Sequence, residues 1–330
     1  VDQEQMLEQL SIIFQSSSKI TVDRKLRRKK LSPFKYGPIA GRCLYFIMAL
    51  LNTREIICMK RDTLSHFRYL IETHPETIPS IFWPYQCKSW DTSTRINYLY
   101  NHFATLPELK HAIDYKATHQ SVLADGREIY PTLQIVVDKH DFYVREGMIT
   151  LNLFVAHQRV FTIAFSFYKN KKEQICAIVG ALQGKRMPDI IDLYRDMTKK
   201  TYGIRPRDLM IEVFQMLCRL SSVKKIYAVS ESHRQHRHSF YCLKNKLSKP
   251  SINYDEVWTE RNGVRRNDAF FELPLIPCRK PISQIVSKKR SMYRNRYVLL
   301  KRLEHKIEQG LSTLESRKVD ANPICWSTLQ

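Results

Sequence analysis

Arg159-Val160-Phe161-Thr162-Ile163-Ala164-Phe165-Ser166-Phe167-Tyr168 runs through the polar connection Lys169-Asn170-Lys171-Lys172-Glu173 into Gln174-Ile175-Cys176-Ala177-Ile178-Val179-Gly180. This stretch decides the fold. In its first part apolar side chains alternate with small or polar ones (Thr162, Ala164, Ser166), the period of a strand with two different faces. Its second part is almost continuously apolar, as a strand covered on both faces should be. A short polar link between two such runs predicts a hairpin. Upstream, Thr132–Val137 is β-rich. Met148–Val155 forms another apolar run behind a turn at Glu146-Gly147. Together these spans predict an antiparallel meander.

Outward from the meander the period changes. Asp189–Lys199 places Ile190, Leu193 and Met197 on one side, and Asp208–Leu220 does the same with Leu209, Val213, Met216, Leu217 and Leu220. Lys225–Ser230 reads as a short strand, followed by a helix or loop over Glu231–His238. Two late strands are expected near Glu256–Arg261 and at Phe270–Leu275, and then a basic helix. On the N-terminal side, Cys58–Ile71 and Ser93–Phe103 read as helices, with turns at His74-Pro75 and Trp83-Pro84. The expected organisation is a mobile basic arm (1–38), a helical region (39–125), an α/β core (126–278) and a basic C-terminal helix and tail (279–330).

The full chain has 330 residues, 54 Lys+Arg against 32 Asp+Glu, and a formal net charge of +22. That charge says nothing of fold but narrows the partners to nucleic acid, an anionic membrane or an acidic protein. Nine basic residues and no acidic one lie between Arg279 and Arg302. Within that stretch Lys288, Lys289, Arg290, Arg294 and Arg296 interleave with Tyr293 and Tyr297, a pattern suited to phosphate groups or to stacked bases. A solvated helix covering the sheet carries the same composition. The acids of Tyr254-Asp255-Glu256-Val257-Trp258 carry two readings: Asp255 or Glu256 pairs with Arg290 or Arg294, or they are surface acids beside a Trp258 buried in a late strand. The eight cysteines are widely spaced and lack a Cys-x-x-Cys, which predicts reduced thiols in the cytoplasm. The longest apolar run, Cys43–Leu51, is shorter than the ~20 residues of a spanning helix. It reads as a buried helix, so the expected location is cytoplasmic, at most peripheral on the inner membrane.

The element order resembles that of a GNAT-type acyltransferase core: α+β, with a mixed, largely antiparallel sheet, flanking helices, a helical N-terminal half and a basic C-terminal helix. That resemblance implies a donor-binding turn after the meander's last strand, here Gly180–Asp189. Gln183 and Gly184 would let the donor approach the backbone, Lys185 and Arg186 would meet its phosphates, and Pro188 suits a first helical turn. An ordinary strand-to-helix turn would also carry these residues. At the end of the neighbouring strand, Ser230 and His233 are candidates for oxyanion donor and general base, although a Ser there also suits a helix cap. His233, His236 and His238 have a spacing that invites a metal. However, no matched ligands flank them and Arg234 and Arg237 repel a dication, so no metal is assigned.

The chain also resembles the VirK/YbjX family of enterobacterial proteins. The resemblance rests on Arg279–Tyr297 above all. Arg145-Glu146-Gly147, Gly180–Gly184, Ala228-Val229-Ser230 with His233, Tyr254-Asp255 with Trp258, and Trp83-Pro84-Tyr85 with Arg95 and Tyr98–His102 support it by their order. It covers roughly residues 40–300. At 231 this chain has Glu where Asn is expected. The resemblance implies a role in virulence, envelope or lipid A remodelling and resistance to cationic antimicrobial peptides, and it carries no catalytic residue. Two functions follow as expectations. One is an acyltransferase using acyl carrier protein or acyl-coenzyme A, with no tightly bound cofactor. The other is a non-enzymatic adaptor for anionic lipid, RNA or an acidic protein.

Overall fold

The computed structural model describes residues 58–111, 120–239 and 252–320. The expected N-terminal arm and the apolar run Cys43–Leu51 lie outside them, as do Cys43, Cys242 and Cys325. The five described cysteines are all free thiols.

Eight strands form one sheet in the order β1-β2-β3-β4-β5-β6-β8-β7. They are β1 (Ser121–Asp125), β2 (Gln134–Asp138), β3 (Ile149–Val155), β4 (Gln158–Lys169), β5 (Ile175–Gly184), β6 (Lys225–Val229), β7 (Val264–Arg265) and β8 (Phe270–Leu273). Neighbours pair antiparallel except β5 and β6, which are parallel. Seven helices occur among the described residues: α1 (Arg61–Thr73), α2 (Ile78–Phe82), α3 (Thr92–Thr105), α4 (Ile190–Lys200), α5 (Pro206–Leu220), α6 (Tyr254–Glu260) and α7 (Arg290–Asp320).

The alternation in β4 does what its sequence dictates. Phe161, Ile163 and Phe165 enter the main core with Leu209, Val213, Phe214 and Leu217 of α5 and Leu299, Leu303 and Ile307 of α7. On the opposite face Asn152, Thr162 and Gln183 are paired directly across β3, β4 and β5. Thr162 Oγ1 donates to Asn152 Oδ1 at 2.9 Å. Arg159 and Asp138 close the row as a shielded ion pair at 2.6 Å. Farther along β4, Tyr85 Oη meets Ser166 Oγ at 2.7 Å and joins this face to the α1–α3 core. The amide of Phe167 donates to His102 Nδ1 at 3.1 Å, and burial keeps that imidazole neutral by lowering its pKa to about 3.

Four expectations are corrected. Glu256–Arg261 is not a strand: Asn253 caps a helix by accepting from the Asp255 amide at 3.1 Å, and Tyr254, Val257 and Trp258 form its buried face. The segment Gly180–Gly184 is not a turn but the end of β5, held against β4 to the Phe161–Gly184 pair. Pro188 precedes the cap of α4 rather than opening the helix, since Asp189 is the capping residue. Asp255 pairs with Arg265, and Glu256 accepts from Asn253, so neither meets Arg290 or Arg294. In addition, β1 precedes the first strand read from the sequence.

Candidate functional site

The parallel pairing of β5 with β6 ends at Val179–Ala228, while β5 runs on to Gly184. The two strands therefore part, and they do so at an irregularity. Ala164 pairs with Ala181 and Phe165 with Val179, which leaves Gly180 as the extra residue of a β-bulge. A side chain at Gly180 would overlap the carbonyl oxygen of Glu146, so only glycine allows this approach.

Past the bulge, α6 supplies what β6 does not. The Tyr254 hydroxyl accepts from the Leu182 amide at 2.7 Å and donates to the Leu182 carbonyl at 3.1 Å. The Arg234 guanidinium lies 3.8 Å from the centre of the Tyr254 ring. Glu231 holds Arg234 at 3.2 Å and Arg237 at 2.5 Å, and its amide donates to Asp255 Oδ1 at 2.7 Å. The Glu at 231 thus ties the loop after β6 to α6. From the other side Tyr85–Lys88 bridges Arg145, β5 and the loop after β6. Gln86 N donates to Arg145 O at 2.7 Å, Gln86 Nε2 to Ile178 O at 3.2 Å, and Lys88 N to His233 O at 2.8 Å.

Glu146 sits at the centre of this ring, only 7% exposed. Gln183 Nε2 donates to its Oε1 at 3.2 Å. Burial raises the carboxyl's pKa to about 7, against the opposing pull of Arg234 and Arg145. Two further buried acceptors, Gln86 Oε1 and Gln235 Oε1, have no hydrogen-bond partner among the described residues. The site therefore combines an ionisable carboxyl poised near neutrality with carbonyl oxygens ready to accept from an incoming N–H or O–H.

Ser230 and His233 are brought together, with Ser230 Oγ 3.3 Å from His233 Nδ1. Ser230 is fully buried and its hydroxyl donates to the Asp268 carbonyl at 2.7 Å. Ser232 Oγ is also 3.0 Å from His233 Nδ1. Burial and the charge of Lys88 lower the His233 pKa, so the ring is neutral at pH 7. Gln183 reaches the ring of site residues through Glu146. Gly184 meets Tyr194 and Phe161 of its own chain rather than an open approach. Lys185 and Arg186 are exposed in the link to α4, and Lys185 Nζ is 3.4 Å from Gln158 Oε1. The α4 cap residue, Asp189, makes no side-chain cap bond.

The C-terminal set lies on and before α7. Arg290 donates to the Ile285 carbonyl at 2.8 Å, Arg296 to the Tyr202 carbonyl at 2.6 Å, and Tyr297 to the Lys280 carbonyl at 2.9 Å. Arg296 lies 4.2 Å from the centre of the Tyr293 ring. Lys288, Lys289 and Arg294 are exposed. Among the described residues no group of three His, Cys, Asp or Glu side chains is arranged to hold a metal ion. No helix among them is long and apolar enough to cross a membrane.

Glu146 escaped the sequence reading as a site residue. Its one signal was its place in Arg145-Glu146-Gly147, a lone acid between a cation and a strand entry. Tyr254 had the same kind of signal, its place in Tyr254-Asp255 with Trp258, and Gln86 had none.

The model of the family described as "Protein of unknown function (DUF535)" matches residues 38–309. The chain belongs to the DUF535 family. Similar proteins include two uncharacterized proteins of Haemophilus influenzae. One is 30% identical over 165 residues, covering 50% of this chain and 53% of the relative. The other is 26% identical over 264 residues, covering 77% and 86%. The uncharacterized protein YbjX of Escherichia coli K12 is 30% identical over 139 residues, covering 42% and 41%. The matched part spans about half the length of the first relative and less than half of YbjX. This agrees with the resemblance to VirK/YbjX proteins. The DUF535 match extends across all eight strands and into α7. No solved structure matches the chain significantly.

Proposed function

We propose that the chain is a GNAT-like acyltransferase that draws an acyl group from acyl carrier protein or acyl-coenzyme A. The observation that carries this reading is the parting of the parallel β5–β6 pair at the Gly180 bulge, with Glu146 beside it. The strand order, with one parallel pair inside an otherwise antiparallel sheet, supports it. A strand edge without a partner strand offers backbone N–H and C=O groups. The amides of a pantetheine arm match those groups chemically, and Tyr254 Oη occupies the pair on Leu182. Turning that hydroxyl aside opens the edge to the arm. Lys185 and Arg186, in the link to the uncapped start of α4, suit the phosphate end of the donor or the face of an acidic carrier.

In the transfer step the acceptor's nitrogen or oxygen attacks the thioester carbonyl. The new bond forms as the C–S bond breaks, the acceptor's proton passes to the Glu146 carboxylate, and the thiolate leaves and is protonated from solvent. A carboxyl with a pKa near 7 is well matched to this exchange at neutral pH. His233 stands farther along the opposite strand's exit, its Nδ1 within reach of two serine hydroxyls. Ser230 and His233 shape the loop that holds Arg234. The resemblance to VirK/YbjX proteins suggests an envelope acceptor and a contribution to resistance against cationic antimicrobial peptides.

The test is turnover of acyl carrier protein and acyl-coenzyme A thioesters by the purified chain. Glu146→Gln should lower it at least a hundredfold, in the usual range for a lost general base, while His233→Ala should retain most of it. Turnover lost in His233→Ala and kept in Glu146→Gln would reassign the base. Binding to neither donor would leave the adaptor reading.

A further inference from the structure

The C-terminal basic segment is not uniformly cationic. Two of its aliphatic side chains stand out into solvent: Val286 is 64% exposed and Val298 48%. Val298 lies on the outer stripe of α7 with Arg294 and Arg302 one helical turn to either side and Lys301 beside it, all exposed. Val286 precedes Lys288 and Lys289, exposed in the turn that enters α7. This turn is fixed by Arg290, which bonds the Ile285 and Ser283 carbonyls, and by the burial of Ile285. The opposite stripe of α7, Leu299, Leu300, Leu303 and Ile307, is buried in the core. The outer stripe is therefore held rigidly on the sheet, cations and aliphatics together. Lys288 and Lys289 also stand where the helix dipole is positive, and no acid occupies the first turn. That arrangement carries electrostatic self-energy that a negative surface relieves.

We propose that this face docks on an anionic lipid bilayer, with Val286 and Val298 entering the headgroup boundary and Lys288, Lys289, Arg294, Lys301 and Arg302 facing lipid phosphates. The inference is independent of the acyltransferase reading. What favours a bilayer over single-stranded nucleic acid is the identity of the exposed apolar groups. Base stacking needs open aromatic faces. Here Tyr293 carries Arg296 on its ring, and Tyr297 is half-buried with its hydroxyl on Lys280 O. The groups left for contact are aliphatic, and aliphatics among cations suit a membrane boundary.

The experiment is cosedimentation of the full chain with phosphatidylcholine vesicles, with and without phosphatidylglycerol. Binding should appear with phosphatidylglycerol and fall as salt rises. The triple substitution Lys288→Gln, Lys289→Gln, Arg294→Gln should weaken it about a hundredfold, roughly fivefold per cation. The double substitution Val286→Ser, Val298→Ser should weaken it severalfold without changing its salt dependence. Both variants alter exposed residues, and an unchanged melting temperature will show that the fold is retained. The proposal is overturned if phosphatidylglycerol vesicles are not bound or if the triple variant binds as wild type. It is also overturned if the aliphatic variant binds as wild type while polyuridylate RNA competes fully, which would make the face a nucleic-acid surface.

Discussion

Glu146 loses its water on folding without gaining a full counter-ion, because Arg234 is held by Glu231. The sign of its effect on stability follows. An unfolded glutamate ionises near 4.5 and the folded one near 7. Between those values the unfolded chain has already released its proton while the folded one retains it, so stability declines as pH rises through that window and then levels off. The decline attributable to Glu146 is on the order of 3 kcal/mol. In urea titrations from pH 4.5 to 8, Glu146→Gln should lack this decline and exceed wild type above pH 7; parallel curves would remove the buried carboxyl from the account. At this scale the sequence was only partly informative. That Ser230 and His233 lie together was legible from a strand end followed by a three-residue step. That Ser230 is occupied by a carbonyl 38 residues away was not, because only the β6–β8 pairing brings Asp268 there.

The meander was legible at the scale of elements because β4 has an apolar face and a polar face, and the pattern survives any change of boundary. The end of β5 was not. Gln183-Gly184-Lys185-Arg186 has the composition of a turn, and only the length of β4 keeps Gln183 and Gly184 extended. Val257, Trp258 and Thr259 have strand propensity, yet the Asn253 cap and the acids Asp255 and Glu256 in the first turn favour a helix. That helix places Tyr254 over β5. Tyr254→Phe removes the partner of both the Leu182 amide and the Leu182 carbonyl, and should cost about 1–3 kcal/mol in urea unfolding. A loss under a few tenths would mean that water or a neighbour replaces the hydroxyl. The same substitution should leave donor binding intact or improve it, since the hydroxyl competes with the donor's amides for Leu182.

Across the whole molecule, the sheet has helices on both faces, α4, α5 and α7 on one and α1–α3 on the other. The β5–β6 gap lies between segments that both layers supply: Tyr85–Lys88 from the N-terminal layer, Glu146 from the turn that leads into β3, and Arg234 with Tyr254 from beyond β6. Such a site draws on residues distant in sequence, which explains why the order of elements was readable while the membership of the site was not. The most direct measurement is amide hydrogen exchange of the full chain with and without a non-hydrolysable acyl-coenzyme A analogue. A donor site between the parted strands predicts slowed exchange over Gly180–Arg186 and 229–235, with little change in α1 or the outer turns of α7. Unchanged exchange in β5 at a saturating concentration of the analogue, or protection confined to the basic C-terminal segment, would contradict a donor site between the parted strands.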